Sequence, residues 1–239
     1  MINDKYKIFD GTSWVSPCAQ DIRIYNPNGH WDLLDVYDLS KEINYYDGSS
    51  WVKIECPQYI SCSQSSLSGS GGAGIYYIPM ILGPDVCDLN LTLDINTVPD
   101  SATILSYDKS IVYAQTGFFG SQPPPPIGNY TFGNSYSAKI YTYSNTVPGN
   151  FILDSSAPDE TISIVADQFP ITNTLSQTIP ISINPAFPLQ TIRTITYTKG
   201  VTTSSQKILI RIVGNPTTGT NWQLINIACV DCGGGGGTF

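Results

Sequence analysis

The residues able to carry bond-making chemistry are few and poorly placed for it. His30 is the only histidine, so any Ser-His-Asp or Cys-His arrangement would have to use it. It stands in Asn28-Gly29-His30-Trp31, where Asn-Gly has the positive-φ preference of a tight hairpin turn, and a solvated turn histidine is the plainer reading. No Gly-x-Ser-x-Gly elbow, His-Glu-x-x-His pair, phosphate loop or dinucleotide fingerprint occurs. Glycoside cleavage needs only two carboxylates at a set separation, and Asp35, Asp38, Asp154, Asp159 and Glu160 are available. Solvated loop acids account for all five. The expectation is a chain with no catalytic residue, and a polysaccharide depolymerase is the weakest reading.

Metal chemistry fares little better. Cys229-Val230-Asp231-Cys232 has the spacing of half a zinc site, and Cys56 with Cys62 would supply the other half only if the termini met. A redox role for that pair needs a helix N-terminus to lower the thiol pKa, but the motif follows a strand pattern and precedes glycines. With Cys18 and Cys87 the cysteines number six, sparse for a disulfide scaffold, and most read as free thiols made in a reducing compartment. Asp88, Asp94, Asp100 and Asp108 are spread over a stretch that has no dense calcium loop, and Asp100 reads as a cap on the turn after Pro99. No metal and no cofactor is expected.

The elements that must position these residues are strands. Only 13% of the 239 residues are charged, with 21 Gly, 17 Pro and 15 Tyr, and long stretches are rich in Thr, Ser, Ile and Asn. Branched and aromatic side chains suit a pleated surface, and good helix formers are sparse. An all-β chain follows. The net charge of -8 repels phosphate backbones and anionic membrane faces, so neither nucleic acid nor membrane is an expected partner. No apolar leader opens the chain and no segment nears the ~20 apolar residues of a membrane-spanning helix, which points to synthesis in the cytoplasm.

A repeat sets the organisation of the first part. Phe9-Asp10-Gly11-Thr12-Ser13-Trp14-Val15, followed by Cys18, returns as Tyr46-Asp47-Gly48-Ser49-Ser50-Trp51-Val52, followed by Cys56. Asn28-Gly29-His30-Trp31 is a weaker copy between them. Each unit reads as a β-hairpin whose aromatics pack across the strand pair. Residues 1–62 therefore form a small N-terminal hairpin module. It has little core of its own and offers Trp14, Trp31 and Trp51 to a partner. The Ser/Gly-rich run 63–74 has the composition of a linker, and 233–239 is a glycine-rich tail whose Phe239 is a further partner-binding candidate.

Residues 75–232 carry the pattern of an antiparallel β-sandwich, jelly-roll or Ig-like. In Cys87-Asp88-Leu89-Asn90-Leu91-Thr92-Leu93-Asp94-Ile95 the alternation puts Leu89, Leu91, Leu93 and Ile95 on one face. Similar segments follow at 102–107, 110–115, 137–142, 161–166, 191–198, 207–213 and 222–228. Pro123–Pro126 is stiff and should lie outside the core. Trp222, Tyr45-Tyr46 and Tyr76-Tyr77 are read first as packing residues and second as platforms for sugar rings.

Within this domain Val98-Pro99-Asp100, Tyr107-Asp108, Ile111-Val112 and Thr116-Gly117-Phe118-Phe119-Gly120 resemble a signature of lectin-like β-sandwich domains in phage tail and adhesin proteins. The signature closes with a strand, matched by 208–213, and a Gly-Thr-x-Trp hairpin, matched by Gly219-Thr220-Asn221-Trp222. This chain departs from it at Ser101-Ala102, where a basic and an aromatic residue are usual, at Lys109, where glycine is usual, and in a long insertion, 121–206. The Asp-Gly-x-x-Trp repeats also resemble those of virion proteins of phages of Bacteroidota, including crAss-like phages. The resemblance implies a structural protein of a phage virion, in a head or tail fibre or as a capsid or tail accessory. Other virion proteins and further copies of the chain would be its partners, and a host surface glycan the alternative partner of an adhesin.

Overall fold

The computed structural model describes residues 49, 60, 66–83, 86–144, 151–166, 176–181, 190–200 and 206–231, with the backbone of six short strands between residues 8 and 53. The chain divides into two compact units, Met1–Gln58 and Tyr59–Phe239. No helix occurs among the described residues.

In the first unit β1 (Ile8–Phe9) pairs with β2 (Trp14–Val15), β3 (Arg23–Tyr25) with β4 (Trp31–Leu33), and β5 (Asn44–Tyr46) with β6 (Trp51–Lys53), all antiparallel. These are the three hairpins expected from the repeat. The register sets Phe9 opposite Trp14, Tyr25 opposite Trp31 and Tyr46 opposite Trp51.

The second unit is a β-sandwich with an added layer. Its central sheet runs in the order β11 (Val112–Gln115), β10 (Ser101–Ser106), β18 (Gln206–Val213), β8 (Gly74–Leu82), β13 (Lys139–Tyr143) and β14 (Phe151–Leu153). One face packs on a four-stranded sheet of β17 (Ile192–Thr198), β9 (Val86–Asp94), β19 (Thr220–Asp231) and β7 (Leu67–Gly71). The other packs on a three-stranded sheet of β12 (Gly128–Phe132), β15 (Glu160–Val165) and β16 (Thr178–Pro180). Pairing is antiparallel except between β13 and β8 and between β15 and β16.

Strand alternation sorts side chains between the two cores. Ile208, Ile210 and Ile212 of β18 join Leu89, Leu91, Leu93 and Trp222 in the first core, while Leu209 and Val213 join Phe132, Ile162 and Ile164 in the second. A sheet buried on both faces reads as an unbroken apolar run, which is the character of Ile-Leu-Ile in β18, whereas β10 is buried throughout although three of its six residues are Ser or Thr. Strand β9, covered on one face only, keeps the expected alternation. Pro79 is tolerated inside β8 because its carbonyl side faces Ile60, which donates to it at 2.9 Å, and not β18. Its missing N–H is therefore not a lost bond to a central neighbour.

All seven strand segments expected after residue 100 form, with ends shifted by at most three residues. The Ser/Gly run is a correction: its residues 67–71 are β7, an edge strand paired with β19, and no linker. Gly69 faces inward opposite Trp222, and a Cβ there would fall 2.8 Å from the indole. Small residues here make room for a tryptophan, and composition does not separate that need from flexibility. The insertion 121–206 is likewise no appendage, because it supplies β12 to β17 and much of the second core. Of Pro123–Pro126, only Pro125 is buried.

Candidate functional site

Of the predicted partner-binding residues, Trp14, Trp31 and Trp51 each begin the second strand of a hairpin, across from an aromatic residue. Phe239 lies outside the described residues, as do His30, Asp35, Asp38, Cys18, Cys56, Cys62, Cys232 and the rest of the tail. Trp222 is buried in the first core and cannot serve as a sugar platform. Tyr76 and Tyr77 are buried with it, on opposite faces of β8.

The two ends of the lectin-like signature meet. Asp100 is fully buried; its Oδ1 accepts the N–H of Asn215 (3.1 Å), and its Oδ2 accepts Thr220 Oγ1 (2.8 Å) and the N–H of Asn221 (3.2 Å). Asp100 thus holds the loop that carries the chain from β18 in the central sheet to β19 in the four-stranded sheet, and the cap on the turn after Pro99 expected from sequence is replaced by this long-range clamp. Burial pushes its pKa up to about 7, against the pull of the three hydrogen bonds. Asn215 Oδ1 in turn accepts from Thr217 N–H (2.9 Å), Thr217 Oγ1 (2.7 Å) and Thr218 N–H (3.3 Å), which folds the loop. Gly219 closes it at φ +94°, where a Cβ would sit 2.5 Å from the carbonyl oxygen of Gly71. From the other side Thr116 Oγ1 accepts the N–H of Ala102 (2.9 Å), Phe119 pairs with Asp100, and Phe118 is buried in the second core.

Lys109, where the family pattern has glycine, sits at φ +64°, a conformation that favours glycine. Its side chain accounts for the exception. Lys109 Nζ lies 3.1 Å from Glu160 Oε2 and 3.7 Å from the centre of the Tyr77 ring. Tyr77 Oη donates to the same Glu160 oxygen at 2.5 Å, and Arg211 Nη1 reaches Oε1 at 3.4 Å. Burial pushes the Glu160 pKa up, but Lys109, the Tyr77 hydroxyl and Arg211 outweigh it and hold the carboxyl below its ordinary value. The sequence reading of Glu160 as a solvated loop acid is therefore corrected: it is a half-buried anchor between the three-stranded and central sheets. Arg211, fully buried on β18, was hidden in an apolar run and gave no sequence signal.

Asp88 Oδ1 is buried without a hydrogen-bond partner, whereas three further acids serve their own turns. Asp108 accepts from Ser106 Oγ (2.6 Å) and from Ser110 Oγ (2.7 Å) and N–H (3.1 Å), which lower its pKa to about 2. Asp94 takes the N–H of Asn96 (2.9 Å), and Asp154 takes that of Ser156 (3.1 Å). Asp159 is exposed. Among the described residues no three His, Cys, Asp or Glu side chains gather as a metal site. Cys229 is disulfide-bonded, which corrects the free-thiol expectation at that residue.

The long sides of the sandwich carry the remaining aromatic chemistry. Between the edges β11 and β17, Tyr113 and Tyr197 stack at 4.3 Å, and Gln206 bridges their hydroxyls at 3.2 and 2.9 Å. Towards the edges β7 and β14, Tyr76 stacks on Tyr141 at 4.9 Å and meets Trp222 edge-on at 5.3 Å, with Phe151 against both Tyr76 and Trp222. Trp222 Nε1 is buried there without a hydrogen-bond partner. The outer faces of the two flanking sheets repeat one pattern of neutral pairs. Thr92 bonds Thr194 (2.9 Å) and Asn90 bonds Thr196 (2.6 Å) on one; Thr131 bonds Thr161 (3.0 Å) and Asn129 bonds Ser163 (2.6 Å) on the other. An open groove of about 340 Å³ beside the β18–β19 loop is walled by Gly71, Gly72, Ser137, Thr217 and Thr218 and holds no ionisable side chain.

Fold and surfaces together define an all-β protein whose buried charges tie its layers together. No protein-family profile matches the sequence and no curated protein is similar to it. Among solved structures the chain is similar to CorA, a surface-associated copper-binding protein of Methylomicrobium album BG8, with a TM-score of 0.30 and 9% identity over 73% of this chain and 98% of that one.

Proposed function

We propose that this chain is a non-enzymatic structural component of a bacteriophage particle, a fibre or an accessory of head or tail, that works by assembling with other virion chains. The observation that carries the reading is the row of three two-stranded hairpins, each with a Trp opposite an aromatic residue. Hairpins of two or three described residues per strand are marginal in water alone, and aromatic residues opposite one another in register, in strand pairs that share no sheet among the described residues, suit burial against a neighbour. The disulfide at Cys229 fits a protein that works outside the reducing cytoplasm in which a phage chain is made. Glu160, Asp100 and Asp108 are each engaged in holding strands or turns together, which supports a structural reading of these acids.

A second reading, host-glycan binding, is favoured by the Asn, Thr and Ser pairs on the two outer sheet faces, which offer neutral donors and acceptors of the kind that match sugar hydroxyls.

The test is mass spectrometry of density-purified phage particles from the source culture, together with capsule binding by the purified chain. A virion part is recovered in the particle band at a fixed ratio to the capsid protein. Recovery from the free protein fraction alone overturns the first reading, and capsule binding without particle association installs the second.

A further inference from the structure

Among the described residues the three sheets of the second unit have six edge strands, and four carry a guard of their own. Strand β11 is irregular in its pairing with β10 and lies against β17 through Tyr113 and Tyr197. Strand β17 carries Arg193, β16 ends in Pro180 and β7 is Ser and Gly after its first residue, while β12, Gly-Asn-Tyr-Thr-Phe, is largely polar. Charge, proline, bulges and cover are the devices that keep sheet edges from pairing with other chains. Strand β14, Phe151-Ile152-Leu153, is the one wholly apolar edge among the described strands, with no charge, proline or bulge in its own three residues, and it leaves Ile152 45% and Leu153 47% exposed.

Its register also states what would fit. Thr142 lies opposite Ile152, and Asp154 N–H donates to the Ile140 carbonyl at 2.9 Å. By strand alternation the backbone groups of Ile152 face β13, and those of Phe151 and Leu153 face the open edge. A second β14 laid antiparallel about a two-fold axis at Ile152 sets Ile152 against Ile152 and Phe151 against Leu153. The outward N–H and C=O groups then form two hydrogen-bonded pairs, and the two isoleucines meet in the closer, non-hydrogen-bonded position. The next acid, Asp154, is turned back to Ser156 and to Thr142 Oγ1 (3.4 Å) of its own chain. For a chain of net charge -8, this uncharged edge is a place where two copies approach with little repulsion.

We infer that β14 is a self-association site, at which two copies of the chain join their central sheets into one through antiparallel Phe151–Leu153 strands. An edge of three residues falls well short of the roughly 1,200–2,000 Å² of a stable interface. The pairing is therefore weak in dilute solution and gains strength where many copies are held together. The inference rests on the assembly reading and supplies it with a contact between like chains.

The experiment is light scattering on the full chain from about 1 µM to about 200 µM, beside Ile152→Lys and the control Ile127→Lys, whose parent side chain is 64% exposed and lies outside the strands. The wild type and Ile127→Lys gain mass with concentration, and Ile152→Lys shifts the midpoint upward at least about tenfold. Hydrogen exchange in a 151–153 peptide of the wild type slows over the same range, a readout that stands even if the lysine variant folds poorly. A wild type that stays monomeric throughout, or an Ile152→Lys variant that associates as the wild type does, overturns the inference. Association that survives Ile152→Lys but is lost with Trp14→Ala, Trp31→Ala and Trp51→Ala combined overturns it too, while leaving the assembly reading in place. Loss of that reading shows separately, as absence from the particle band with the β14 contact intact.

Discussion

The two long sides of the sandwich are closed in different ways. Between β11 and β17 the stacked Tyr113 and Tyr197 use their hydroxyls on one Gln206 side chain, so apolar cover and polar satisfaction come together. Between β7 and β14 there is more aromatic surface, from Tyr76, Tyr141, Phe151 and Trp222, but the indole N–H has no partner and the neighbouring edge exposes Ile152 and Leu153. A buried donor without an acceptor and an apolar edge without cover are each tolerated at a cost in the single chain. The inferred second chain meets the molecule on this side, whereas the other side closes its own polar groups through the tyrosine-glutamine bridge, although Ile192 of β17 there is 48% exposed.

The contrast can be broken or sharpened by substitution. The largest effect is expected from Trp222→Ala, which empties a fully buried site beneath Gly69 and should cost about 3–5 kcal/mol in denaturant unfolding. Trp222→Phe keeps much of the ring and removes the unpartnered donor, so it should cost clearly less.

Asp100 sets the pH frame for these comparisons. Its pKa rises on folding from 3.8 to about 7, so the folded chain holds a proton that the unfolded chain releases between those values. Its contribution is complete below about pH 4 and is lost as pH rises to 7, by at most about 4 kcal/mol. Asp100→Asn should flatten that part of the stability-pH curve; an unchanged slope would mean that Asp100 ionises normally.

On the side of the bridge, Tyr113→Phe, which removes one hydrogen bond in use, should cost about 1 kcal/mol by thermal melting, and Gln206→Ala, which removes two, about 2 kcal/mol. If the loss of a used hydroxyl there costs no more than the loss of the idle indole N–H, the distinction between the sides fails. The smallest effect is expected at Lys109, away from both. Lys109→Gly relieves the φ of +64° while giving up the contacts to Glu160 and Tyr77, and should stay within about 1 kcal/mol of wild type. Lys109→Ala, which relieves nothing, should be the less stable of the two.

Much of the frame was legible in the sequence because strand period and turn chemistry are local signals. The Asp-Gly and Asn-Gly units mark three hairpins, and the alternation from Leu89 to Ile95 marks a half-covered strand. What escaped depends on distant partners. Ser-Gly-Ser-Gly is a strand because Trp222, some 150 residues on, needs the space. Glu160 is an anchor because Arg211 and Lys109 come to it from other elements, and Asp100 is a clamp because the β18–β19 loop folds back over it. The exposed edge at β14 was unreadable too, since three apolar residues look the same inside a core as at its rim.

Hydrogen exchange on the dilute full chain tests the contrast most directly. The account predicts slow exchange in the 112–115 and 192–198 segments, under the Tyr113-Tyr197-Gln206 bridge, and much faster exchange in 151–153. Equal protection at both sides would contradict it, because β14 would then be closed within the single chain.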